Sequence, residues 1–107
     1  MTGETVRMTY IKVFWHHSFP DEPTVLYSEI DEDRRERRKV YVFRDGQFGY
    51  ASDTEATNSV WLSIEPLPPL SKIGSDAQFD PSEIEKSEFE DVWSKAHLAT
   101  NEARRAD

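Results

Sequence analysis

The sequence predicts an α+β domain, with a single twisted antiparallel sheet of four to five strands and a C-terminal helix packed on one face. Three observations favour this class. The first half of the chain is rich in runs that alternate between apolar and polar residues, as strands do. An Asp-Gly pair separates two such runs, which is typical of a hairpin. Apolar residues near the C-terminus recur at helical spacing.

The first two strands are predicted at residues 10–16 and 24–30. In the first, Ile11 and Val13 share one face with Trp15, and the residues between them point to the other face. A link rich in turn-forming residues joins the two runs. An antiparallel meander is therefore the simplest arrangement.

The strongest local signal is a hairpin over residues 39–51. Asp45-Gly46 suits a two-residue type I′ turn, which would pair Phe43 with Phe48. Four aromatic side chains would then share one face, with a shallow apolar surface on the other: Tyr41, Phe43, Phe48 and Tyr50. We expect one of these faces to be covered by the second half of the chain, and the other to be covered too or offered to a partner.

Two further elements are predicted before the final helix. Residues 59–64 alternate like another strand, and residues 70–79 hold one short helix. Asp80-Pro81 resembles the start of a helix, because aspartate caps helices and proline is favoured at the first helical position.

The final helix has a capping-box start at residues 87–90. Its predicted core stripe is Phe89, Val92, Trp93 and Ala96, and we expect all three tryptophans, Trp15, Trp61 and Trp93, to face the core. We place one domain at residues 8–99, with an N-terminal extension at 1–7 and a frayed tail at 100–107.

Composition excludes several classes of function. The 107 residues include 13 Lys and Arg against 21 Asp and Glu, a formal net charge of −8, which argues against nucleic acid or an anionic membrane as the partner. The chain has no cysteine, so disulfides, thiolate nucleophiles and thiolate metal sites are excluded. Without a signal segment or an apolar span, we expect a cytoplasmic protein. We predict no metal site and no cofactor.

Five segments form a recognisable pattern: Tyr-Ile-Lys-Val-Phe-Trp-His-His at 10–17, Leu-Tyr-Ser-Glu-Ile-Asp at 26–31, Arg-Lys-Val-Tyr-Val-Phe-Arg-Asp-Gly at 38–46, Glu-Pro-Leu-Pro at 65–68 and Ile-Glu-Lys-Ser-Glu-Phe-Glu-Asp-Val-Trp at 84–93. The pattern resembles a family of small acidic bacterial proteins known only as a domain of unknown function. The resemblance implies a stand-alone domain beginning near Met8, and it implies no activity.

Five residues are candidates for acid and base chemistry on the sheet: His16, His17, Tyr27, Glu29 and Arg38. Imidazole and carboxylate groups can exchange protons near neutral pH, and Tyr27 and Glu29 share a strand face. The alternative is that the histidines lie at a strand end in water and that Glu29 is paired with a nearby cation. Likewise, the basic block at 31–39 could hold a phosphate or carboxylate, or could be solvated and paired with its own acidic residues.

The acidic second half suggests a different function. Carboxylates at Glu83, Glu88 and Asp91, beside the predicted aromatic face, could bind a basic protein as inhibitor and immunity proteins do. We therefore predict a small cytoplasmic binding module that acts through a protein partner. The alternative is a small enzyme or ligand-binding protein with a pocket on the sheet, and a third possibility is self-association through an uncovered sheet face.

Overall fold

The computed structural model describes residues 7–57 and 60–105, with side chains through residue 100. The predicted extension therefore lies almost wholly outside the described residues. The elements are β1 (Thr9–Trp15), β2 (Pro23–Ile30), β3 (Glu36–Phe43), β4 (Phe48–Ser52), α1 (Leu70–Ile73), β5 (Phe79–Ile84) and α2 (Lys86–Arg105). Over the described part of the chain, no helix combines the length and apolar character needed to cross a bilayer.

The five strands form one antiparallel sheet in the order β4-β3-β2-β1-β5. The first four strands are a meander, and β5 returns to the other side of β1. This confirms the predicted α+β class with a single sheet and a C-terminal helix.

The alternation predicted for β1 is confirmed, and it divides the sheet into two faces. Tyr10 lies on the face that packs against α2, which we call the helix face. Ile11 and Val13 are buried on the opposite face, which we call the cleft face. In β3, Val40 belongs to the helix face and Tyr41 to the cleft face.

The predicted register of the β3–β4 hairpin is wrong by one residue. Val42 pairs with Phe48 and Tyr41 with Gly49, so the turn has three residues instead of two. The Gly46 N–H donates to the Phe43 carbonyl at 2.9 Å, and only Gly46 has a positive φ in this turn, at 89°. These are the features of a type I turn closed by a glycine bulge, which competes with the type I′ turn for an Asp-Gly sequence.

A one-residue shift of register moves every side chain of one strand to the other face. The four aromatic residues of the hairpin therefore do not form one wall. Tyr50 and Phe48 lie on the helix face with the core, while Tyr41 and Phe43 lie on the cleft face.

The predicted stripe of α2 is confirmed. Phe89 and Ala96 are fully buried, Val92 is nearly so, and Trp93 packs against the same cluster. Burial of such side chains contributes roughly 1.5–3 kcal/mol each for the larger ones, so this stripe is the main attachment of the helix. The helix continues to Arg105, so the predicted frayed tail is helical in the backbone as far as that residue.

Two predicted elements of the second half are wrong. Asp80 and Pro81 do not start a helix but lie in β5, where Pro81 pairs with Val13. An edge strand tolerates proline because one side of it has no hydrogen-bonding neighbour. Of the predicted strand at 59–64, the described part is not a strand, and the edge of β4 that it would need is occupied by the turn that pairs Ala56 with Ala51. The predicted short helix is confirmed as α1.

The segment of residues 60–69 is instead held by the turn between β2 and β3. The Arg34 guanidinium donates to the carbonyls of Leu67 and Pro68 at 2.8 and 2.7 Å, and Arg35 donates to the carbonyl of Ile64 at 3.1 Å. These two arginines of the basic block therefore bind the backbone and are not simply solvated.

Trp61 lies on this segment and is 70% exposed, so the prediction that it belongs to the core is wrong. The residues around Trp61 alternate in sequence like those of a strand. In the structure, however, the described residues 60–64 are not paired with a strand that could cover the Trp61 side chain. Trp15 and Trp93 are both partly buried.

Candidate functional site

The five candidate acid and base residues do not meet in one pocket. His16 is exposed at the end of β1. His17 donates from Nε2 to the Pro23 carbonyl at 2.7 Å, and its Nδ1 accepts the Phe19 N–H at 3.0 Å. Both ring nitrogens of His17 are thus occupied by backbone groups, which fixes the link between β1 and β2.

Glu29 and Arg38 do meet, as part of a cluster between the sheet and α2. The Arg38 guanidinium donates to both Glu29 oxygens, at 2.8 and 2.7 Å, and to both Glu90 oxygens, at 3.2 and 2.6 Å. The Tyr10 hydroxyl donates to Glu29 at 3.0 Å. Arg38 also lies 4.9 Å from the ring centroids of Phe89 and Trp93, which cover it on the helix side.

This cluster fixes the charge of its members. Hydrogen bonds to Glu29 raise the pKa of Arg38 above its ordinary value. Burial alone would raise the pKa of Glu29, but the hydrogen bonds and charge of Arg38 outweigh burial and lower it. Burial, with the hydrogen bond to Glu29, raises the pKa of Tyr10 to about 12.

The arrangement of the Glu29 cluster suits attachment of α2 better than catalysis. Glu29 is only 7% exposed, and its two oxygens accept three hydrogen bonds from Arg38 and Tyr10. A general base must lie within reach of a substrate, whereas this carboxylate is buried and already accepts from Arg38 and Tyr10. Tyr27 lies on the same face, half-buried against the core, with the Lys12 ammonium 5.5 Å from its ring centroid.

The residues predicted to bind a protein are also dispersed. On α2, Glu88 lies 3.7 Å from Lys12, and Asp91 lies 3.0 Å from Lys95. Glu83 is exposed on β5. Two of the three predicted carboxylates therefore have a cation of the same chain beside them.

The cleft face carries a feature that the sequence did not predict, a cavity of about 380 Å³ between the sheet and residues 63–76, which we call the sheet cleft. Most of its wall is apolar, and four polar side chains lie at one end of it. The apolar lining residues are Ile11, Val13, Leu26, Leu67, Pro68, Ile73 and Phe79, the polar end is Ser28, Glu36, Lys39 and Tyr41, and Ser63, Lys72 and Asp76 complete the lining.

The polar end of the cleft is built around a buried ion pair. Lys39 Nζ lies 2.9 Å from Glu36 Oε1, with the two side chains 8% and 3% exposed. Glu36 also accepts the Ser28 hydroxyl at 2.9 Å and the Ser63 N–H at 2.7 Å. Lys39 in turn donates to the Tyr41 hydroxyl at 3.1 Å.

The ion pair keeps Lys39 charged inside the protein. Burial would lower the pKa of the Lys39 ammonium, but the Glu36 carboxylate beside it outweighs burial and raises that pKa. Buried charges are found where they are paired and hydrogen-bonded, and they are rare without a structural or functional role.

A bulge explains why this pair escaped prediction. Residues three apart in a regular strand point to opposite faces, so Glu36 and Lys39 should not meet. In the structure the register between β2 and β3 shifts between Glu29 and Ile30, and this brings Glu36 onto the face of Lys39. The alternation around Val40 could have placed Lys39 and Tyr41 on one face, but nothing in the sequence marks the bulge.

A larger hollow, of about 470 Å³, lies at the tip of the β3–β4 hairpin beside Phe43. It is a poorer candidate, because its wall consists mainly of exposed polar residues around Arg44 and Asp45. Ligand sites combine mostly apolar walls with a few fixed polar groups, and the sheet cleft has this kind of lining. Among the described residues, no group of three or more histidine, aspartate or glutamate side chains is placed to hold a metal ion.

Comparison with known proteins identifies the family of the chain. Residues 9–98 match a family model whose description is a domain of unknown function, DUF6881. No curated protein and no solved structure matches the chain significantly.

Proposed function

Because the chain belongs to the DUF6881 family, whose description assigns no activity, we propose its function from the geometry of the site: the protein binds a small molecule in the sheet cleft. The observation that supports this proposal is the buried Lys39–Glu36 pair at one end of a cavity whose wall is mostly apolar. Such a pair is expensive to bury, and replacing it with apolar residues would often stabilise a fold.

The size of the cleft limits the ligand. A volume of about 380 Å³ corresponds to the space of about a dozen water molecules, and so to a ligand of about a dozen non-hydrogen atoms. At ligand efficiencies of about 0.3–0.5 kcal/mol per atom, such a ligand binds with a dissociation constant between tens of micromolar and a few millimolar. This is the affinity range that a test must cover.

Thermal unfolding of the protein with a library of small compounds tests the proposal. Ligands that bind the folded state raise the unfolding temperature, and a cleft-filling Leu26→Trp variant should lose that response. Phe14→Trp is the matched control, since Phe14 is half exposed on the helix face and outside the cleft. If no compound stabilises the wild type at millimolar concentration, or if Leu26→Trp responds as well as Phe14→Trp, the proposal is wrong.

A protein partner is the second candidate, and exposed apolar side chains support it. Trp61 and Ile64 are 70% and 84% exposed on the segment that covers the cleft. Large exposed apolar residues are typical of contact sites. A Trp61→Ser, Ile64→Ser variant should then lose a stoichiometric partner that the wild type retains, while Glu83→Gln tests the predicted acidic contribution. Equal retention by wild type and the double variant would contradict this surface.

A further inference from the structure

The polar end of the sheet cleft has hydrogen-bond donors left over. Lys39 Nζ carries three N–H bonds, and its contacts within the described residues use two of them, to Glu36 and Tyr41. The Tyr41 hydroxyl oxygen accepts one of these, and no acceptor for its own hydrogen is found in the described part of the chain. Lys39 is more than nine-tenths buried, so water has poor access to its remaining N–H.

The acceptors at this end are largely satisfied. Glu36 Oε1 receives Lys39 and the Ser63 N–H, and Oε2 receives the Ser28 hydroxyl. The unfilled groups are thus donors, and the complementary ligand atom is an acceptor. A ligand that brings a donor, such as an ammonium group, would face another cation.

The charge balance further restricts the acceptor. The Lys39 charge is already offset by Glu36 at 2.9 Å, and the two other charged residues of the lining, Lys72 and Asp76, are of opposite sign to each other. A ligand carboxylate on the same ammonium would add a second negative charge close to Glu36, in a site with little water to separate them. A neutral acceptor can use both free hydrogens without leaving a net buried charge.

We propose that the ligand of the sheet cleft is a small carbonyl compound, a ketone, ester or amide, whose oxygen accepts from Lys39 Nζ and Tyr41 Oη while its apolar body packs on Ile11, Val13 and Phe79. This inference rests on the proposed function, because it assigns the chemical class of the ligand to the same cleft. In this proposal the carbonyl oxygen is bound by a lysine ammonium and a tyrosine hydroxyl, without a histidine or a metal ion.

A set of three near-isosteric probes tests the class of ligand: cyclohexyl methyl ketone, cyclohexanecarboxylate and cyclohexylmethylamine. Each is titrated into the wild-type protein, and the dissociation constant is obtained from amide NMR shifts around Ser28 and Leu67. The ketone should bind at least tenfold more tightly than either charged probe. A carboxylate that binds as tightly as the ketone overturns the assignment, and this comparison needs no variant.

Two variants locate the carbonyl oxygen. Tyr41→Phe removes the free hydroxyl hydrogen and should weaken ketone binding about three- to tenfold, the range of one hydrogen bond. Tyr27→Phe is the matched control, because Tyr27 lies on the helix face and should leave ketone binding unchanged. Equal ketone affinities for Tyr41→Phe and the wild type contradict the proposal.

The outcomes also separate this inference from the proposed function. If the three probes bind the cleft with equal affinity, the carbonyl assignment is wrong and the cleft remains a binding site. If no probe and no library compound shifts the amides of the cleft, the proposed function is wrong and the inference falls with it.

Discussion

At the scale of single residues, Arg34 combines an unfavourable backbone with several favourable contacts. It has a φ of 64°, the left-handed region that residues with a Cβ rarely adopt, and it is the only described residue other than glycine to do so. Its carbonyl accepts the Leu67 N–H at 2.7 Å, and its guanidinium binds the carbonyls of Leu67 and Pro68. The strain persists because these contacts hold residues 60–69 over the cleft.

Replacing Arg34 separates the strain from the contacts. Arg34→Ala and Arg34→Gly both lose the guanidinium, but only glycine adopts a positive φ freely. We therefore expect the Gly variant to be more stable than the Ala variant by about 1 kcal/mol, measured by urea unfolding. Equal stabilities would show that the turn relaxes out of the left-handed region. Arg44→Ala is the control for loss of an arginine from an exposed turn.

Tyr10 gives a residue-scale prediction about alkaline pH. Its pKa is raised to about 12 from the usual 10.0, so the folded state keeps a proton that the unfolded chain releases. The stabilisation is thus fully present below pH 10 and is lost as the pH rises through about 12. The raised pKa of Lys39 acts in the same direction.

Phenolate absorbance directly measures the ionisation of the four tyrosines of the chain. One of them should ionise near pH 12 in the folded wild type. Tyr10→Phe should remove that late step, whereas Tyr27→Phe should keep it. A late step that survives in Tyr10→Phe would assign it to another tyrosine and contradict the burial argument.

At the scale of elements, the sheet and α2 are joined by one apolar stripe and one charged cluster. The stripe is centred on Phe89, which is fully buried, and the cluster on Arg38. The apolar contacts supply most of the free energy, while the ion pairs fix the position of the helix, since buried ion pairs rarely add net stability over apolar packing. Removing one charged partner of the cluster should therefore destabilise the protein strongly, whereas replacing both partners together should destabilise it much less.

Arg38→Met leaves the buried Glu29 carboxylate without its cation and should destabilise the protein by about 3–5 kcal/mol. Adding Glu29→Gln should recover much of that loss, as measured by urea unfolding in a double-mutant cycle. Glu90→Gln is the control for the half-exposed partner and should cost less than about 1 kcal/mol. A double variant as unstable as Arg38→Met alone would contradict this account.

The same cluster contributes to the loss of stability at acidic pH, through Glu29. Because the folded pKa of Glu29 is lowered from 4.5, its contribution is present above that pH and is lost as the pH falls through the folded value. The Glu29→Gln, Arg38→Met variant should lose this part of the acid dependence. An unchanged acid limb in the double variant would assign the titration to other carboxylates.

The elements also show how far sequence reasoning reaches. Local patterns placed β1, β2 and the α2 stripe, because alternation and helical spacing report burial directly. They failed where the answer depends on a neighbour in space. Pro81 is compatible with β5 only because that strand is an edge, and Asp45-Gly46 is compatible with two turns that differ by one residue.

The site was less predictable than the fold for the same reason. Tyr41 was among the predicted binding residues and does line the cleft, but it was placed on a face with Tyr50, which lies on the other side of the sheet. Lys39 and Glu36 are brought together by a bulge, and the roof of the cleft is held by Arg34 across more than thirty residues of sequence. No local pattern records such contacts.

At the scale of the whole molecule, the net charge of −8 opposes folding. The exposed pairs, such as Lys95 with Asp91, contribute little and are screened by salt. The Glu29–Arg38 and Glu36–Lys39 pairs are buried and are screened much less. Added salt should thus weaken the net repulsion more than it weakens the attractive pairs.

We therefore predict that sodium chloride stabilises the protein at pH 7 and has little effect near the sequence pI of about 4.8, where the net repulsion vanishes. The measurement is the unfolding temperature between about 10 and 300 mM salt, a range over which the Debye length falls from about 30 Å to below about 8 Å. Sucrose is the control for effects that do not depend on charge, and it should stabilise the protein equally at both pH values. An unfolding temperature that falls with salt at pH 7 would mean that surface ion pairs outweigh the net repulsion.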